Sequence, residues 1–565
     1  MQLWEKHFDI AFTAPDGIKK LRKLILTLAM QGKLVPQDPN DQPARELLKE
    51  IETEKKQLVK AGKIKASKSL STINLGEMPY QLPKGWEWSR LGAIGNIFNG
   101  NSINAQEKEN KYAGAEGLPY IATKDVGYGI DELDYTNGIY IPETEKNFKI
   151  AHQGAVLICA EGGSAGKKCG ITNRDICFGN KLFANELFGG IPSKFILYLY
   201  LSSEFKALFA DVMTGIIGGI SIANFFELPV PLPPLQEQHR IVARIDQLMA
   251  RCDALEKLRK KREEKRLAVH AAAIKQLLDV PDNSAWDFIQ QHFVELYTVK
   301  ENVAELRKAI LQLAVMGRLV PQEPNDPPAS KLLKEIEAEK QQLVKAKKIK
   351  RPKPAPSISQ DDEPFQVPDN WRWVRIAELA ESIDYGTSQK TCDDSSLVPV
   401  YRMGNIVDGQ LIDEGFKYIA PDIDELPRLF LQPNDILFNR TNSYELVGKT
   451  ARYTGPVKHA TFASYLIRVR LFDALLNPVF ISQAMNAPYF RSSQIEPEIV
   501  QQCGQANFNG TKLSLCAVPL PPLPEQHRIV ARIDQLMALC DTLNQQIDTA
   551  TGKQTALLNA LMAQV

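Results

Sequence analysis

The chain repeats itself, and the repeat constrains its fold more than any other feature. The stretch LRKLILTLAMQGKLVPQDPNDQPARELLKEIETEKKQLVKAGKIK (21–65) returns at 306–350, and 33 of these 45 positions match. At the same offset of 285, PYQLPKGWEWSRL (79–91) returns as PFQVPDNWRWVRI (364–376), keeping Trp86/Trp371, Trp88/Trp373 and Arg90/Arg375. PLPPLQEQHRIVARIDQLMARCD (231–253) returns at 519–541, where only Gln236/Pro524 and Arg251/Leu539 differ. A fainter echo links KHFDIAF (6–12) to QHFVELY (291–297). The chain is a tandem duplication of roughly 3–280 and 288–565, so both halves must share one frame.

Between the matched ends the halves diverge. Residues 92–228 and 377–516 are nearly equal in length but differ in sequence, apart from a skeleton. LPYIATKDVGYG (118–129) aligns with VPVYRMGNIVDG (398–409), and AVLICAEGGSAGK (155–167) with DILFNRTNSYELVGK (435–449). In the second pair a short apolar strand runs into a polar loop ending at Gly166-Lys167 or Gly448-Lys449. A constant frame with two variable inserts presents two unlike recognition surfaces on one scaffold.

The frame reads as helices. After each Pro-rich turn, Ile241, Ile245, Leu248, Cys252 and Leu255 recur at heptad steps, as do Ile529, Ile533, Leu536, Cys540, Leu543, Ile547 and Ala550. Proline at 234 or 522, with Glu-Gln soon after, suits a helix start. The first such helix, from about Glu237 to Leu278, is expected to be roughly 60 Å long. The charged run KLRKKREEKR (257–266) interrupts its apolar stripe and reads as solvated or partner-binding. Shorter amphipathic helices are expected over 17–31, 43–61, 302–316 and 328–346.

Composition sets outer limits. At 565 residues the chain is long enough for three or four domains, and 44% hydrophobic with 24% charged residues is ordinary for a globular protein. The apolar run Leu24–Met30 is too short to span a bilayer, and acidic residues and His7 in the first ten positions argue against a signal peptide. Eight cysteines with no C-x-x-C pair read as reduced thiols and predict a cytoplasmic protein without zinc. The net charge of +1 disfavours a nucleic-acid binder unless positive charge gathers on one face.

A helix repeated centrally and terminally behind PLPPLxEQHRIVARID, with a variable domain opened by P-x-x-W-x-W-x-R before each copy, resembles the specificity subunit of type I restriction–modification enzymes. The resemblance covers essentially the whole chain. The N-terminal LRKLILTLAMQGKLVPQ block places it among members with an extended N-terminus. It implies an α+β architecture: two α/β target recognition domains separated by two long helices, each domain reading one half of a split DNA sequence. The implied partners are double-stranded DNA, two modification (methyltransferase) subunits and, in the full complex, restriction/translocase subunits. S-adenosylmethionine, ATP and Mg are expected on those partners, with no cofactor in this chain. The expected domains are 1–78 (N-terminal helical region), 79–230 (first recognition domain), 231–363 (central region), 364–518 (second recognition domain) and 519–565 (C-terminal helix).

A stand-alone bifunctional restriction–methylation enzyme and a structural coiled-coil adaptor are the competing readings. The first lacks its motifs. EGGSAGKK (161–168) misses the first glycine of a phosphate loop and has Lys168 where Ser or Thr belongs. NDPPA (325–329) has Ala329 where an adenine methyltransferase needs an aromatic ring. EEK (263–265) sits in a charged helix, and His239 and His527 have no partner base in sequence, which favours capping or docking. The adaptor reading leaves two diverged domains unexplained.

No catalytic or metal-binding residue is therefore expected. The expected DNA contacts are Lys124, Ser164, Lys167 and Lys168 in the first domain, with Glu161 in the same loop, and Asn439, Arg440, Asn442 and Lys449 in the second. These types bond base edges or phosphates. Ile241, Ile245, Leu248, Leu255, Ile529, Ile533, Leu536 and Leu543 are expected to pair the helices or dock partners. Antiparallel pairing would relate the halves by a pseudo-twofold axis and offer one partner type two equivalent sites.

Overall fold

A computed structural model describes residues 13–563, apart from breaks at 67–68, 215–217, 281, 350–354, 360–362, 456, 458 and 503–504. The echo KHFDIAF lies outside the described residues. The chain forms two compact units: Met1–Lys261 with Thr551–Val565, and Arg262–Ala550.

In the first unit, helices α1 (Gly17–Met30) and α2 (Ala44–Lys60) precede strand β1 (Glu87–Arg90). β1 pairs antiparallel with β2 (Pro229–Leu232), Glu87 facing Leu232 and Arg90 facing Pro229, so the variable segment leaves and returns at one two-stranded ribbon. Within that segment one four-stranded sheet runs in the order Gly95–Asn99, Leu182–Leu187, Val156–Cys159, Cys169–Ile171. A second runs Tyr140–Ile141, Leu118–Ile121, Ile176–Phe178, Ile150–Ala151, with its central pair parallel and its outer pairs antiparallel. Val156–Cys159 is buried along its whole length, which fits its unbroken apolar spelling. Helix α3 (Ser193–Leu201) packs into the same core.

The second unit repeats this plan. Helices α5 (Lys300–Val315) and α6 (Ala329–Lys345) stand where α1 and α2 do, by the 285-residue offset. Strand β3 (Arg372–Arg375) pairs with β4 (Ala517–Leu520) in the matching register. The four-stranded sheet reappears as Ala380–Tyr385, Leu466–Leu471, Ile436–Asn439, Thr450–Arg452, and a three-stranded sheet keeps one parallel pair, Val398–Tyr401 with Thr461–Phe462. A three-stranded addition, Thr441–Asn442, Gln505–Asn507, Val500–Gln502, builds on the loop end of Ile436–Asn439.

The two long helices are α4 (Leu235–Asp279, 45 residues) and α8 (Leu523–Met562, 40 residues). At 1.5 Å per residue they are about 68 and about 60 Å long. α4 begins in the first unit, and its Ala273, Ile274 and Leu277 lie in the second unit's core. α8 begins in the second unit, and its Leu558 and Leu561 pack on Ala14 in the first. Between them in chain order lies α7 (Pro478–Ala484), capped by Asn477, whose side-chain oxygen accepts from the Val479 and Phe480 amides.

The heptad positions do a different job from the one their spacing suggests. Ile241 and Ile245 are fully buried in the first unit's core with Trp86, Leu47 and Ile51, and Ile529 and Ile533 in the second's with Trp371, Leu332 and Ile336. Leu248, Leu536 and Leu543 are half-buried against those same cores. Leu255 stays 45% exposed. The opening turns of each helix are thus a wall of their own unit. An i, i+4 apolar stripe looks the same whether it meets a sheet, a loop or another helix.

Candidate nucleic-acid interface

The repeated motifs converge on one buried clamp per unit. Glu237, in the first turn of α4, is almost fully buried and accepts from Trp86 Nε1 (3.0 Å) and Gln37 Nε2 (3.1 Å). Gln37 also bonds the Gly32 carbonyl (2.7 Å), and Arg240 one turn on pairs with Asp41 at 2.6 Å. In the second unit Glu525 accepts from Trp371 Nε1 (2.9 Å) and Gln322 Nε2 (2.5 Å), and Arg528 pairs with Asp326 at 2.6 Å. Burial pushes the Glu237 and Glu525 carboxyls up, opposed by the bonds from Gln and Trp. Gly32 and Gly317 sit at φ +68° and +69°, and a Cβ there would come within 2.3 and 2.5 Å of Pro83 and Pro368. NDQPA and NDPPA therefore hold an arginine by their aspartate, and the Glu-Gln signature anchors the frame to the first Trp of each domain. Sequence reading missed this clamp, although the recurrence of every member in the second half, the Gln, Asp and Trp at an offset of 285 and the Glu and Arg at 288, was the available signal.

On this frame the two polar loops close over the same neck. Cys159 N donates to Lys168 O and Gly166 N to Cys159 O; Asn439 N donates to Lys449 O and Gly448 N to Asn439 O (2.8–2.9 Å). Both glycines have positive φ, +68° and +95°, which lets the chain reverse into the next strand. Beyond the neck each loop is braced differently. In the first unit Gly162 N bonds Gly218 O (2.8 Å) and Ile220 N bonds Ala160 O (2.9 Å). In the second, Arg440 O accepts from Phe508 N (2.8 Å), and the Arg491 guanidinium spans the carbonyls of Tyr444 and Val447 (both 2.8 Å).

The first-domain residues expected to touch DNA come together. Lys168 Nζ donates to Thr123 O (3.0 Å) and Lys124 O (3.5 Å), joining the 161–168 loop to the segment carrying Lys124. Tyr128 links them further: its hydroxyl lies 3.3 Å from Ser164 Oγ, and the Lys168 ammonium stands 5.1 Å above its ring. Lys124 and Lys167 are exposed, Lys167 bonding Gly163 O at 3.0 Å. Glu161 is paired with Lys181 at 3.3 Å.

The second domain divides its candidates. Asn439 ends a buried strand with its side-chain oxygen enclosed, so it faces the core and cannot reach a base edge. Arg440 is half-buried, bonds Ser464 O (3.3 Å) and lies 5.0 Å over the Tyr385 ring. Asn442 pairs with Ala506 in the added strand and caps Ser443 N (2.8 Å). Lys449 is half-buried at the neck. Tyr385, Tyr444 and Tyr465 are exposed around them.

One stripe of the repeated helix faces out in both units. His239, Ala243, Arg244, Gln247 and Ala250 are exposed, as are His527, Ala531, Arg532, Gln535 and Ala538. Arg244 bonds Gln247 (2.6 Å) and Arg532 bonds Gln535 (3.3 Å). His527 Nδ1 also lies 3.1 Å from Asn477 Nδ2, beside the α7 cap. Core packing explains the identity of the buried positions in this repeat, but not that of the stripe.

Two domains with unlike polar loops on one duplicated frame define a two-headed recognition protein. The family description "Type I restriction modification DNA specificity domain" matches the chain twice, over residues 83–264 and 368–550. The chain belongs to this family, the specificity subunits of type I restriction–modification systems. It is 35% identical to the EcoAI specificity subunit of Escherichia coli and 32% to the EcoEI subunit, covering 96% of this chain and 93% of each relative. Among solved structures it is similar to the HsdS subunit from Thermoanaerobacter tengcongensis (18% identity, 86% of this chain and 98% of that one, TM-score 0.42). A chain of a type I R-M system complex matches at 17% identity, over 86% of this chain and 99% of that one, with a TM-score of 0.46. Among the described residues no helix is long and apolar enough to cross a membrane.

Proposed function

We propose that this specificity subunit reads a bipartite, asymmetric DNA sequence, one half per recognition domain, and leaves methylation and cleavage to its partners. The observation that carries this reading is the contrast between frame and loops. The clamps, β ribbons and loop necks match in the two units, whereas the loops bear Ser164, Lys167 and Lys168 in one and Arg440, Asn442 and Lys449 in the other. Unlike side chains on like supports recognise unlike sequences. Lysines and arginines at the loops supply phosphate affinity, which reconciles DNA binding with a net charge of +1.

The five regions 1–78, 79–230, 231–363, 364–518 and 519–565 then act as frame, reader, frame, reader, frame. α4 and α8 run antiparallel as the spacer, because a twofold arrangement of the duplicated halves offers two equivalent surfaces to one type of partner. The exposed stripes at 239–250 and 527–538 dock two copies of the modification subunit, because equal surfaces suit equal partners. Restriction subunits complete the assembly, and S-adenosylmethionine, ATP and Mg serve the partners' chemistry in the cytoplasm.

The test is to map methylated bases in a host that carries the chain together with its partner subunits. Two unlike half-sites at one fixed gap are expected. A single continuous site, or two identical half-sites, would refute the reading.

A further inference from the structure

Among the described residues Tyr128 is the most exposed aromatic residue of the first unit (62%), and Ile130, two residues on, is 50% exposed. Leaving that much apolar surface in water forgoes stabilisation that burial would provide. The segment that carries them is nevertheless firmly held. Asp125, buried at its base, accepts from Ala122 N (2.8 Å) and from Asn137 Nδ2 (2.7 Å). Gly127 O accepts from Cys169 N (3.2 Å), and Lys168 Nζ bonds the carbonyls of Thr123 and Lys124. The ring itself is braced on one face by the Lys168 ammonium and at its hydroxyl by Ser164. A rigid loop thus presents an apolar tip flanked by Lys124, Lys167 and Lys168.

Tyr385, the aromatic residue under Arg440 in the second domain, is a different case. Its hydroxyl accepts from Gly510 N (2.6 Å), and a Cβ on Gly510 would lie 3.1 Å from that hydroxyl, so the tip of this ring is held against its own unit's backbone. Tyr128 leaves more of its surface open, 62% against 44% for Tyr385.

We infer that Tyr128, with Ile130 beside it, is a specificity-determining residue that contacts the 5-methyl group of a thymine in the half-site read by the first domain, while Lys124 and Lys167 hold the flanking phosphates. This rests on the reading of that domain as a DNA reader. The chemistry matches: a thymine methyl is the one apolar group on a base edge in the major groove, and apolar side chains recognise it. The lysines complement the backbone on either side.

The experiment measures binding by the chain assembled with its modification subunits, on DNA in which thymines of one half-site are replaced by deoxyuridine. For the unaltered protein, replacement in the first domain's half-site should weaken binding about fourfold for each lost methyl contact. Y128A should bind thymine and deoxyuridine versions equally, with the other half-site unaffected, and Y128F should behave as the unaltered protein. The proposal is overturned if Y128A keeps the full thymine preference, if it weakens binding equally on all sequences, or if the unaltered protein ignores the methyl groups. These outcomes leave the domain's role intact when the unaltered complex still requires two half-sites; loss of that requirement would sink the DNA-reading role and this proposal together.

Discussion

Trp86 and Trp371 join the start of each recognition domain to the helix that follows its end, through one indole N–H and one buried carboxylate. Trp86→Phe keeps most of the ring volume but leaves Glu237 Oε2 with one donor fewer in a buried site. Such an unmet buried acceptor costs about 1–3 kcal/mol, so the variant should show a lower denaturation midpoint in urea with unchanged half-site preference. An unchanged midpoint would mean that the clamp contributes nothing to stability. Single residues were unevenly legible in sequence. That Lys124, Ser164 and Lys168 lie in neighbouring polar segments was readable from the sequence; that Lys168 and Ser164 are tied to Thr123, Lys124 and Tyr128 was not. Asn439 was misplaced because the sequence does not mark where a buried strand stops, and a polar residue at its last position looks like the first residue of the loop. Tyr128 and the Glu237 clamp escaped notice, since exposure and long-range pairing are set by tertiary contacts that local pattern does not carry.

At the level of elements, the helices were legible from periodicity, and α4 extends only a few residues beyond the span read from its sequence. What the stripe packs against was not legible: Ile241 and Ile245 face their own unit's core, and the exposed stripe proposed for docking lies on the other side, at His239, Ala243, Gln247 and Ala250. Small alanines in the middle of an exposed stripe allow close approach by another helix, and a glutamate there would obstruct it. Ala250→Glu and Ala538→Glu should each remove one of two bound modification subunits, and the double variant both, with the melting temperature of the isolated chain essentially unchanged. Native mass measurement of the assembled complex reads this directly; full occupancy in the double variant would place docking elsewhere. The strands were less legible. Two- and three-residue pieces such as Tyr140–Ile141 and Thr461–Phe462 are too short to show alternation, and only their partners define them.

For the whole molecule, the duplication made the plan legible before any element was assigned, because a repeat at fixed offset demands two copies of one fold. The pairing of constant frame with divergent loops is the central claim: the loops determine which bases are read, and the helices determine how far apart. The direct measurement lengthens the helices alone. One heptad inserted after Leu255 in α4 and after Leu543, its equivalent in α8, adds about 10 Å to each, or roughly three base pairs at 3.4 Å per step. Both sites lie beyond the clamps and outside the segments 79–230 and 364–518, so no residue of either recognition domain is changed. Mapping methylated bases in a host carrying the lengthened chain should reveal both original half-sites with a gap about three base pairs longer. Methylation of the original site at its original spacing would contradict the account.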